Sequence, residues 1–312
     1  MENARMSQLS RVPGKSLEDI DCPICHNHSS KICFIYTYEM KRSNILECSG
    51  CGHLFIDPVP LVKLDSRSMD NLDDGELFGS RILRTVYEKV VIDKEINLLK
   101  KYCLKGAKHP ALLDIACGTG WTTSIMQKRG FDVTGLESSV ARSQYCRDRY
   151  DLKVVTGFIE NFEPSELFDI VTMRHILEHI EHPVEVLEKV RSFLKKDGIL
   201  LITLPNINSI GRYIFQEHWT WVLPWHLHFY HPKTLELLLT KMGFKKLSLY
   251  QMPSPLWYPE ALRESLGPQS LAWKILSTFP RWLMMALFTP VILLGAIFKL
   301  NDNQTIIVKK ID

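Results

Sequence analysis

The chain has 312 residues, of which 46% are hydrophobic and 23% are charged, and its formal net charge is +3 at pH 7. This is the composition of a folded globular protein with room for one large domain and a small one. The nearly balanced charge, with lysines and arginines scattered along the chain, argues against nucleic acid as a partner. Because the polar first residues contain no apolar stretch of signal-peptide length, we predict a flexible N-terminus over residues 1–17 and a cytoplasmic location.

Two Cys-x-x-Cys pairs follow, Cys22 with Cys25 and Cys48 with Cys51. Four thiolates at this spacing form the soft, tetrahedral ligand set that structural zinc prefers, so we predict zinc binding in residues 18–58, which resemble a zinc ribbon. A redox pair of dithiols is the alternative, but the βαβ context of such a site is missing. Three histidines in the same segment are spare ligand candidates: His26, His28 and His53.

Residues 59–108 are predicted to be a linker and a helical lead-in to the next domain. Pro58 and Pro60 favour an extended exit from the ribbon, and residues 61–80 are acidic and irregular, as in a flap over a ligand. Apolar residues recur at helical spacing over 81–102, which predicts a helix that packs on the sheet that follows.

A strand, a glycine-containing turn and a helix come next. Residues 112–115 are apolar except for Asp114, small residues continue to Gly120, and residues 121–129 have a helical pattern. Small residues let the backbone approach a ligand closely, and the helix N-terminus offers free N–H groups. A second strand ends at Glu137, whose carboxylate can accept two hydrogen bonds from a ribose diol. The pair predicts a site for an adenosine-type cofactor.

The heptapeptide from Asp114 to Gly120 resembles the first motif of class I S-adenosylmethionine-dependent methyltransferases. Ala116 stands where that family usually has glycine, which alanine can replace at a turn that keeps φ negative. A dinucleotide-binding dehydrogenase is the alternative, but Thr123 occupies the third glycine position of its motif. Cys117 is interpreted as a packing residue of the turn and not as a nucleophile. The resemblance implies S-adenosylmethionine as the cofactor, held by these residues: Asp114, Ala116, Cys117, Gly118, Gly120 and Glu137.

Two further cofactor contacts are predicted at the same edge of the sheet. After a third strand at 153–155, family members often have an acidic residue that meets the adenine amino group, and this chain has Phe158 instead. Either the Phe158 ring stacks on adenine, or Glu160 and backbone groups take the polar contact. Arg174 follows the fourth strand and is placed at the same rim by the topology.

The residues after Arg174 spell the H-x-x-E-H pattern of inverted zinc proteases, with His175, Glu178 and His179. Their position after the fourth strand favours a loop that lines the cofactor and substrate site, as in class I methyltransferases. Two alternatives are a divalent metal that orients a substrate oxygen, with His175 and His179 on one face of a helix, and peptidase chemistry.

These elements imply an α/β fold, a Rossmann-like class I methyltransferase core over residues 109–252. The uncharged fifth strand, 199–206, is typical of a buried parallel sheet. Strands at 244–251 and within 304–312 complete a seven-stranded, mostly parallel sheet with an antiparallel last strand. Right-handed crossovers place the ligand at the carboxyl ends of the strands.

Residues 211–233 are unusually aromatic, with three tryptophans and four histidines. Aromatic walls with a few polar tips suit a sugar or ring substrate. The segment is similar to the substrate cap of methyltransferases found with bacterial surface-polysaccharide and deoxysugar pathways. That resemblance implies His226 as the general base, since neutral imidazole accepts a proton near pH 7. His228 is the second catalytic candidate, and His175 at the rim is the third.

Residues 253–303 are predicted to form an apolar helical hairpin. The uncharged run 283–298 is too short to span a hydrocarbon layer of ~30 Å. The two flanking strands are also predicted to pair in one sheet, so the chain must return to the side of the membrane from which it left. Either residues 271–300 contact the inner face of a membrane peripherally, or the hairpin is buried in a homodimer.

Together these features predict an enzyme that transfers a methyl group from S-adenosylmethionine by in-line displacement. The main hypothesis is O-methylation of a sugar or lipid-linked saccharide in cell-surface polysaccharide biosynthesis. The alternatives are O-methylation of a quinone precursor or another lipid-soluble small molecule, and a non-catalytic adaptor that binds zinc and S-adenosylmethionine.

Overall fold

A computed structural model describes the following residues of the chain: 8–11, 16–18, 20–38, 41–59, 81–103, 108–254, 257–267 and 269–311. The flap predicted at 61–80 lies outside the described residues.

The described chain opens with five strands: β1 (Gln8–Arg11), β2 (Ser16–Glu18), β3 (Ser29–Tyr38), β4 (Lys41–Cys48) and β5 (Leu54–Asp57). β3 and β4 form an antiparallel hairpin, β5 pairs with β4, and both β1 and β2 pair with β3. Within the segment 1–17, for which flexibility is predicted, the residues of β1 and β2 thus extend this sheet by pairing with β3.

Helices and strands then alternate: α1 (Arg81–Tyr87), a π-helical turn (Glu88–Ile92), α2 (Asp93–Tyr102), β6 (Ala111–Ile115), α3 (Trp121–Lys128), β7 (Asp132–Glu137), α4 (Val140–Tyr150), β8 (Lys153–Thr156), β9 (Phe168–Arg174), α5 (Pro183–Phe193) and β10 (Leu194–Pro205). The remaining elements are α6 (Ile210–Phe215), β11 (His228–Phe229), α7 (Pro232–Lys241), β12 (Phe244–Met252), α8 (Tyr258–Leu266), α9 (Leu271–Leu276), α10 (Arg281–Leu287), α11 (Thr289–Phe298) and β13 (Asn303–Lys310).

The central sheet has seven strands in the order β12-β13-β10-β9-β6-β7-β8. The five strands from β10 to β8 are parallel, whereas β13 is antiparallel to both of its neighbours, β10 and β12. The predicted seven-stranded, mostly parallel sheet with an antiparallel last strand is confirmed. Residues 199–202 and Leu204 of β10 are almost fully buried, as expected for a parallel sheet covered on both faces.

The N-terminal sheet continues into the aromatic cap. β11 of the cap pairs antiparallel with β5, so that His228 lies opposite Phe55 and Phe229 opposite Leu54. The Ile56 N–H also donates a hydrogen bond of 3.0 Å to the Leu227 carbonyl. The cap therefore shares a sheet with the ribbon, across the boundary predicted at residue 58.

The described part of the segment between β12 and β13 contains four short helices, α8 to α11, where a hairpin was predicted. Gly267 ends α8, Pro280 precedes α10 and Pro290 lies in the first turn of α11. Proline has no N–H to continue a helix, which explains the interruptions at Pro280 and Pro290, whereas Gly267 ends α8 with a φ of 82°. Among the described residues, the helices are all too short or too polar to cross a membrane.

Candidate cofactor and acceptor site

The turn after β6 has left-handed backbone conformation at three positions, with φ of 56° at Ala116, 60° at Gly118 and 77° at Gly120. The expectation of a negative φ at Ala116 is wrong, and alanine in this region costs roughly 1–2 kcal/mol relative to its preferred conformations. A Cβ added to Gly118 would have none of the described residues within 4 Å. The open side of this turn therefore lets a ligand approach the backbone closely, which fits S-adenosylmethionine.

The carboxylate of Glu137 lies against this turn, because β6 and β7 are paired neighbours that end side by side. Its Oε2 accepts a hydrogen bond of 2.9 Å from the Gly118 N–H, and its Oε1 accepts one of 2.9 Å from the Ser139 N–H. A carboxylate has about four lone-pair sites, and the Ser138 hydroxyl is a third donor, 3.5 Å from Oε1, so acceptor capacity is left for at least one ribose hydroxyl.

Asp114 and Arg174 belong to a buried ionic network beneath the rim. The Arg174 guanidinium contacts Asp114 Oδ1 at 3.0 Å and Glu95 Oε2 at 2.9 Å, and its side chain is only 13% exposed. Asp114 also accepts hydrogen bonds of 2.6 Å from the hydroxyls of Thr123 and Thr172. Burial works against the charged guanidinium, but Glu95 and Asp114 together raise the pKa of Arg174. Direct contact of Asp114 or Arg174 with the cofactor stays a prediction.

Glu95 is a member of this ionic network that was not among the residues predicted from the sequence. It lies on α2 beside Ile96 and one turn before Leu99, both of which are buried. An acidic residue on the apolar stripe of a helix signals a buried cationic partner. That signal could have found Glu95, although not the identity of its partner.

The two other predicted cofactor contacts differ in their surroundings. Phe158 follows β8 with 62% of its surface exposed, so its ring is accessible at the edge of the site. Cys117 packs towards β7, where its Sγ would lie 2.7 Å from a Cβ added to Gly135. A hydrogen bond with Cys146 and burial raise the pKa of the Cys117 thiol, which supports a packing role.

The loop after β9 is irregular. His175 has a φ of 51°, and its N–H donates a hydrogen bond of 2.8 Å to the Thr203 carbonyl. Leu177–His179 forms a single 3₁₀ turn. The helical face that His175 and His179 would have shared as metal ligands is therefore absent from this loop.

Aromatic rings of the cap pack directly on this loop. His175 stacks on Trp221 with 5.7 Å between ring centroids, and Trp221 stacks on His226 at 6.2 Å. His226 in turn packs edge-on against His179 at 4.7 Å. The structure thus brings together two of the three predicted catalytic histidines, His175 and His226.

The two cap histidines face different neighbours. His226 Nδ1 lies 2.8 Å from the Trp221 carbonyl, and burial lowers the pKa of His226 to about 4. His228 Nδ1 lies 3.0 Å from His53 Nε2 of the ribbon, and burial likewise lowers the pKa of His228 to about 4. Both rings are therefore neutral at pH 7, and His228 joins the cap to the ribbon.

The four cysteines of the two Cys-x-x-Cys pairs also come together. The Sγ atoms are 3.7 Å apart for Cys22 and Cys51 and 3.5 Å apart for Cys25 and Cys48. In a tetrahedral site with zinc–sulfur bonds of about 2.3 Å, the sulfur atoms are about 3.8 Å apart. The Gly50 N–H also points to Cys48 Sγ, at 3.3 Å. This donor set and its spacing fit zinc.

Comparison with known proteins identifies one family. The model described as "Methyltransferase domain" matches residues 87–249, which is more than half of the chain. The matched region begins at the end of α1 and runs into β12, so it includes the turn after β6, Glu137, the loop after β9 and the aromatic cap.

Two curated relatives are named for the same activity. The chain is 26% identical over 157 residues to a ubiquinone biosynthesis O-methyltransferase of Actinobacillus pleuropneumoniae serotype 7, covering 44% of this chain and 67% of that protein. It is 27% identical over 161 residues to the mitochondrial ubiquinone biosynthesis O-methyltransferase of Schizosaccharomyces pombe, covering 48% of this chain and 58% of that protein.

A solved structure from Galdieria sulphuraria, described as a sarcosine dimethylglycine methyltransferase, superposes with a TM-score of 0.50 and 15% identity. The superposition covers 73% of this chain and 88% of that one. At this identity the likeness shows the fold alone.

Proposed function

The chain belongs to the methyltransferase domain family and is an S-adenosylmethionine-dependent methyltransferase, and we propose that it methylates a hydroxyl oxygen of a lipid-soluble aromatic acceptor of the quinone-precursor class. The observation that carries the choice of acceptor is the match of the methyltransferase core to relatives named for ubiquinone biosynthesis. It favours the quinone-precursor alternative over the saccharide hypothesis.

The cap supports an aromatic acceptor. Trp221 stacks with both His175 and His226, so a wall of flat aromatic rings borders the loop at the carboxyl edge of the sheet. A flat, conjugated ring can pack on such a wall, and the imidazole nitrogens beside it can meet a phenolic hydroxyl. Proximity of this hydroxyl to the cofactor methyl group supplies most of the rate gain in a displacement of this kind.

A zinc ion bound by Cys22, Cys25, Cys48 and Cys51 supports the cap, in this proposal. The ribbon is too small to bury an independent core, so the metal supplies much of its folding free energy. Through β5 and β11 the ribbon then holds the segment that carries His226 and His228.

The apolar helices after β12 have the properties expected of a surface that binds anionic lipids. Their exposed apolar side chains are the following: Leu271, Ile275, Phe279, Leu287, Leu293, Leu294, Ile297 and Phe298. The charged residues between Glu264 and Asp302 are Lys274, Arg281 and Lys299, all of them cationic. Apolar insertion together with cationic residues is the pattern of a peripheral membrane-binding surface, and a lipid-soluble acceptor resides in such a membrane.

Transfer of a labelled methyl group tests the acceptor. The protein is given labelled S-adenosylmethionine with a prenylated catechol, with the same catechol without its tail, and with a lipid-linked saccharide extract. We expect label in the prenylated catechol, on oxygen, and at least about tenfold less in the compound without a tail. Label confined to the saccharide extract contradicts the proposed acceptor and leaves the enzyme class intact.

Flotation with lipid vesicles tests whether the apolar helices after β12 bind a membrane. We expect the protein to float with vesicles that contain phosphatidylglycerol and not with vesicles of pure phosphatidylcholine. A double variant that combines Leu293→Ser and Ile297→Ser should not float. Leu237→Ser, on an exposed apolar residue of α7, is the matched control. A dimer in solution that the double variant dissociates, with no flotation of either protein, identifies the surface as a subunit interface and overturns the membrane proposal.

A further inference from the structure

Glu178 is a buried acidic residue whose carboxylate makes no hydrogen bond in the described structure. Its residue is 1% exposed, and neither carboxylate oxygen has a hydrogen-bond partner among the described residues. A buried carboxylate without donors costs several kcal/mol unless a cation neutralises it. Glu178 lies after β9, at the carboxyl edge of the sheet, and its carbonyl accepts a hydrogen bond of 2.7 Å from the Leu227 N–H of the cap.

Two imidazoles beside Glu178 have their tautomers fixed by the backbone. His179 Nδ1 lies 2.8 Å from the Trp225 carbonyl, and His226 Nδ1 lies 2.8 Å from the Trp221 carbonyl. A carbonyl only accepts, so each Nδ1 carries a hydrogen, and in the neutral form of each ring Nε2 carries a lone pair. In metal sites, a histidine ligand is commonly oriented by a hydrogen bond from its non-ligating ring nitrogen to a backbone carbonyl.

The three side chains offer ligand atoms that all lie within 4.8 Å of one another. Ligand bonds of about 2.1 Å bring such atoms to roughly 3–3.5 Å from one another, a change that small side-chain rotations supply. Two histidines with one carboxylate leave other coordination positions open, as sites that bind a substrate oxygen do.

We propose that Glu178, His179 and His226 bind a divalent first-row transition-metal cation that holds the acceptor hydroxyl for methylation. The role in methyl transfer rests on the proposed function, whereas metal binding itself does not. The acceptor O–H loses its proton to solvent water, and its oxygen attacks the cofactor methyl carbon. The O–C bond forms as the C–S bond breaks, and the electron pair of that bond stays on sulfur, which leaves neutral S-adenosylhomocysteine.

His175 offers a competing explanation for the buried charge. Its Nδ1 lies 3.5 Å from Glu178 Oε1, so an imidazolium at this position would form an ion pair with the carboxylate in place of a metal. The two explanations differ in what they predict for added metal, because an ion pair needs none.

Binding of Mn²⁺ to the zinc-loaded, full-length protein tests the proposal without an acceptor. Mn²⁺ prefers oxygen and nitrogen ligands and does not displace zinc from four thiolates, so the free-Mn²⁺ electron spin resonance signal reports the new site alone. We expect one Mn²⁺ per chain. Glu178→Gln should weaken binding by more than the roughly 10- to 100-fold that loss of an outer-shell partner costs.

Glu181→Gln and His182→Gln are the matched controls, since they make the same changes at exposed neighbours and should leave Mn²⁺ binding unaltered. His179→Gln serves as a second variant if Glu178→Gln unfolds. Absence of Mn²⁺ binding by the wild-type protein, or equal binding by Glu178→Gln, overturns the metal site and favours the His175 ion pair. Metal binding without transfer to a prenylated catechol contradicts only the proposed acceptor.

Discussion

The backbone N–H of Gly118 donates a hydrogen bond of 2.9 Å to the carboxylate of Glu137. The contact joins the turn after β6 to the end of β7, the two places where the sequence predicts adenosine binding. Because the acid already faces the glycine turn, we expect a nucleoside to bind there with little rearrangement of the protein.

Replacing Glu137 with glutamine should weaken cofactor binding. The amide removes the charge that strengthens hydrogen bonds from ribose hydroxyls, which are worth about 1.5–3 kcal/mol each when one partner is charged. We expect a roughly 10- to 100-fold higher dissociation constant for S-adenosylhomocysteine by titration calorimetry. Glu163→Gln, at a side chain that is 80% exposed, should bind as the wild type does. Equal affinities for the two variants would place the nucleoside elsewhere.

Gly120→Ala should destabilise the fold through both its backbone and its new methyl group. The residue has a φ of 77°, and an added Cβ would lie 2.7 Å from Cys146 Sγ and 2.8 Å from Leu152 Cδ1. Gly130 has a φ of 96° with none of the described residues within 4 Å of its added Cβ, so Gly130→Ala isolates the backbone cost. Urea unfolding should give a loss of about 1–2 kcal/mol for Gly130→Ala. The loss for Gly120→Ala should be about 1–3 kcal/mol larger.

Loss of the Arg174 guanidinium should leave two buried carboxylates without their cation. We expect Arg174→Met to lower the free energy of unfolding by about 3–5 kcal/mol, as breaking a buried ion pair does. Lys195→Met is the comparison, because Lys195 pairs with Asp169 near the surface, where such a pair contributes at most about 1 kcal/mol. Adding Glu95→Gln to Arg174→Met should recover part of the loss. Additive effects in this double-mutant cycle would rule out the coupling.

Removal of zinc should loosen the aromatic cap as well as the ribbon, since β5 and β11 share hydrogen bonds. After chelation we expect faster amide exchange at Ile56 and Phe229, with β6 and β10 still protected. The Cys33→Ser variant, which keeps the four clustered thiols, should need the same chelator concentration as the wild type. A cap that keeps its protection while the ribbon melts would show that the two units fold independently.

The sequence by itself determined the features that depend on neighbouring residues. The spacing of Cys22, Cys25, Cys48 and Cys51 predicted their grouping, and the apolar runs predicted the strands of the sheet. The strand and turn from Asp114 to Gly120 predicted the cofactor edge. Each of these signals is local, because side-chain periodicity and turn chemistry are set within one element.

Only the tertiary structure decided which distant residues meet. The pairing of Arg174 with Glu95, the joining of His228 to His53 and the grouping of Glu178 and His179 with His226 all connect separate elements. Such contacts depend on crossovers and on strand register, which the sequence between the contacting residues does not reveal. Local pattern therefore predicted the kind of site, and long-range packing determined which distant side chains lie beside it.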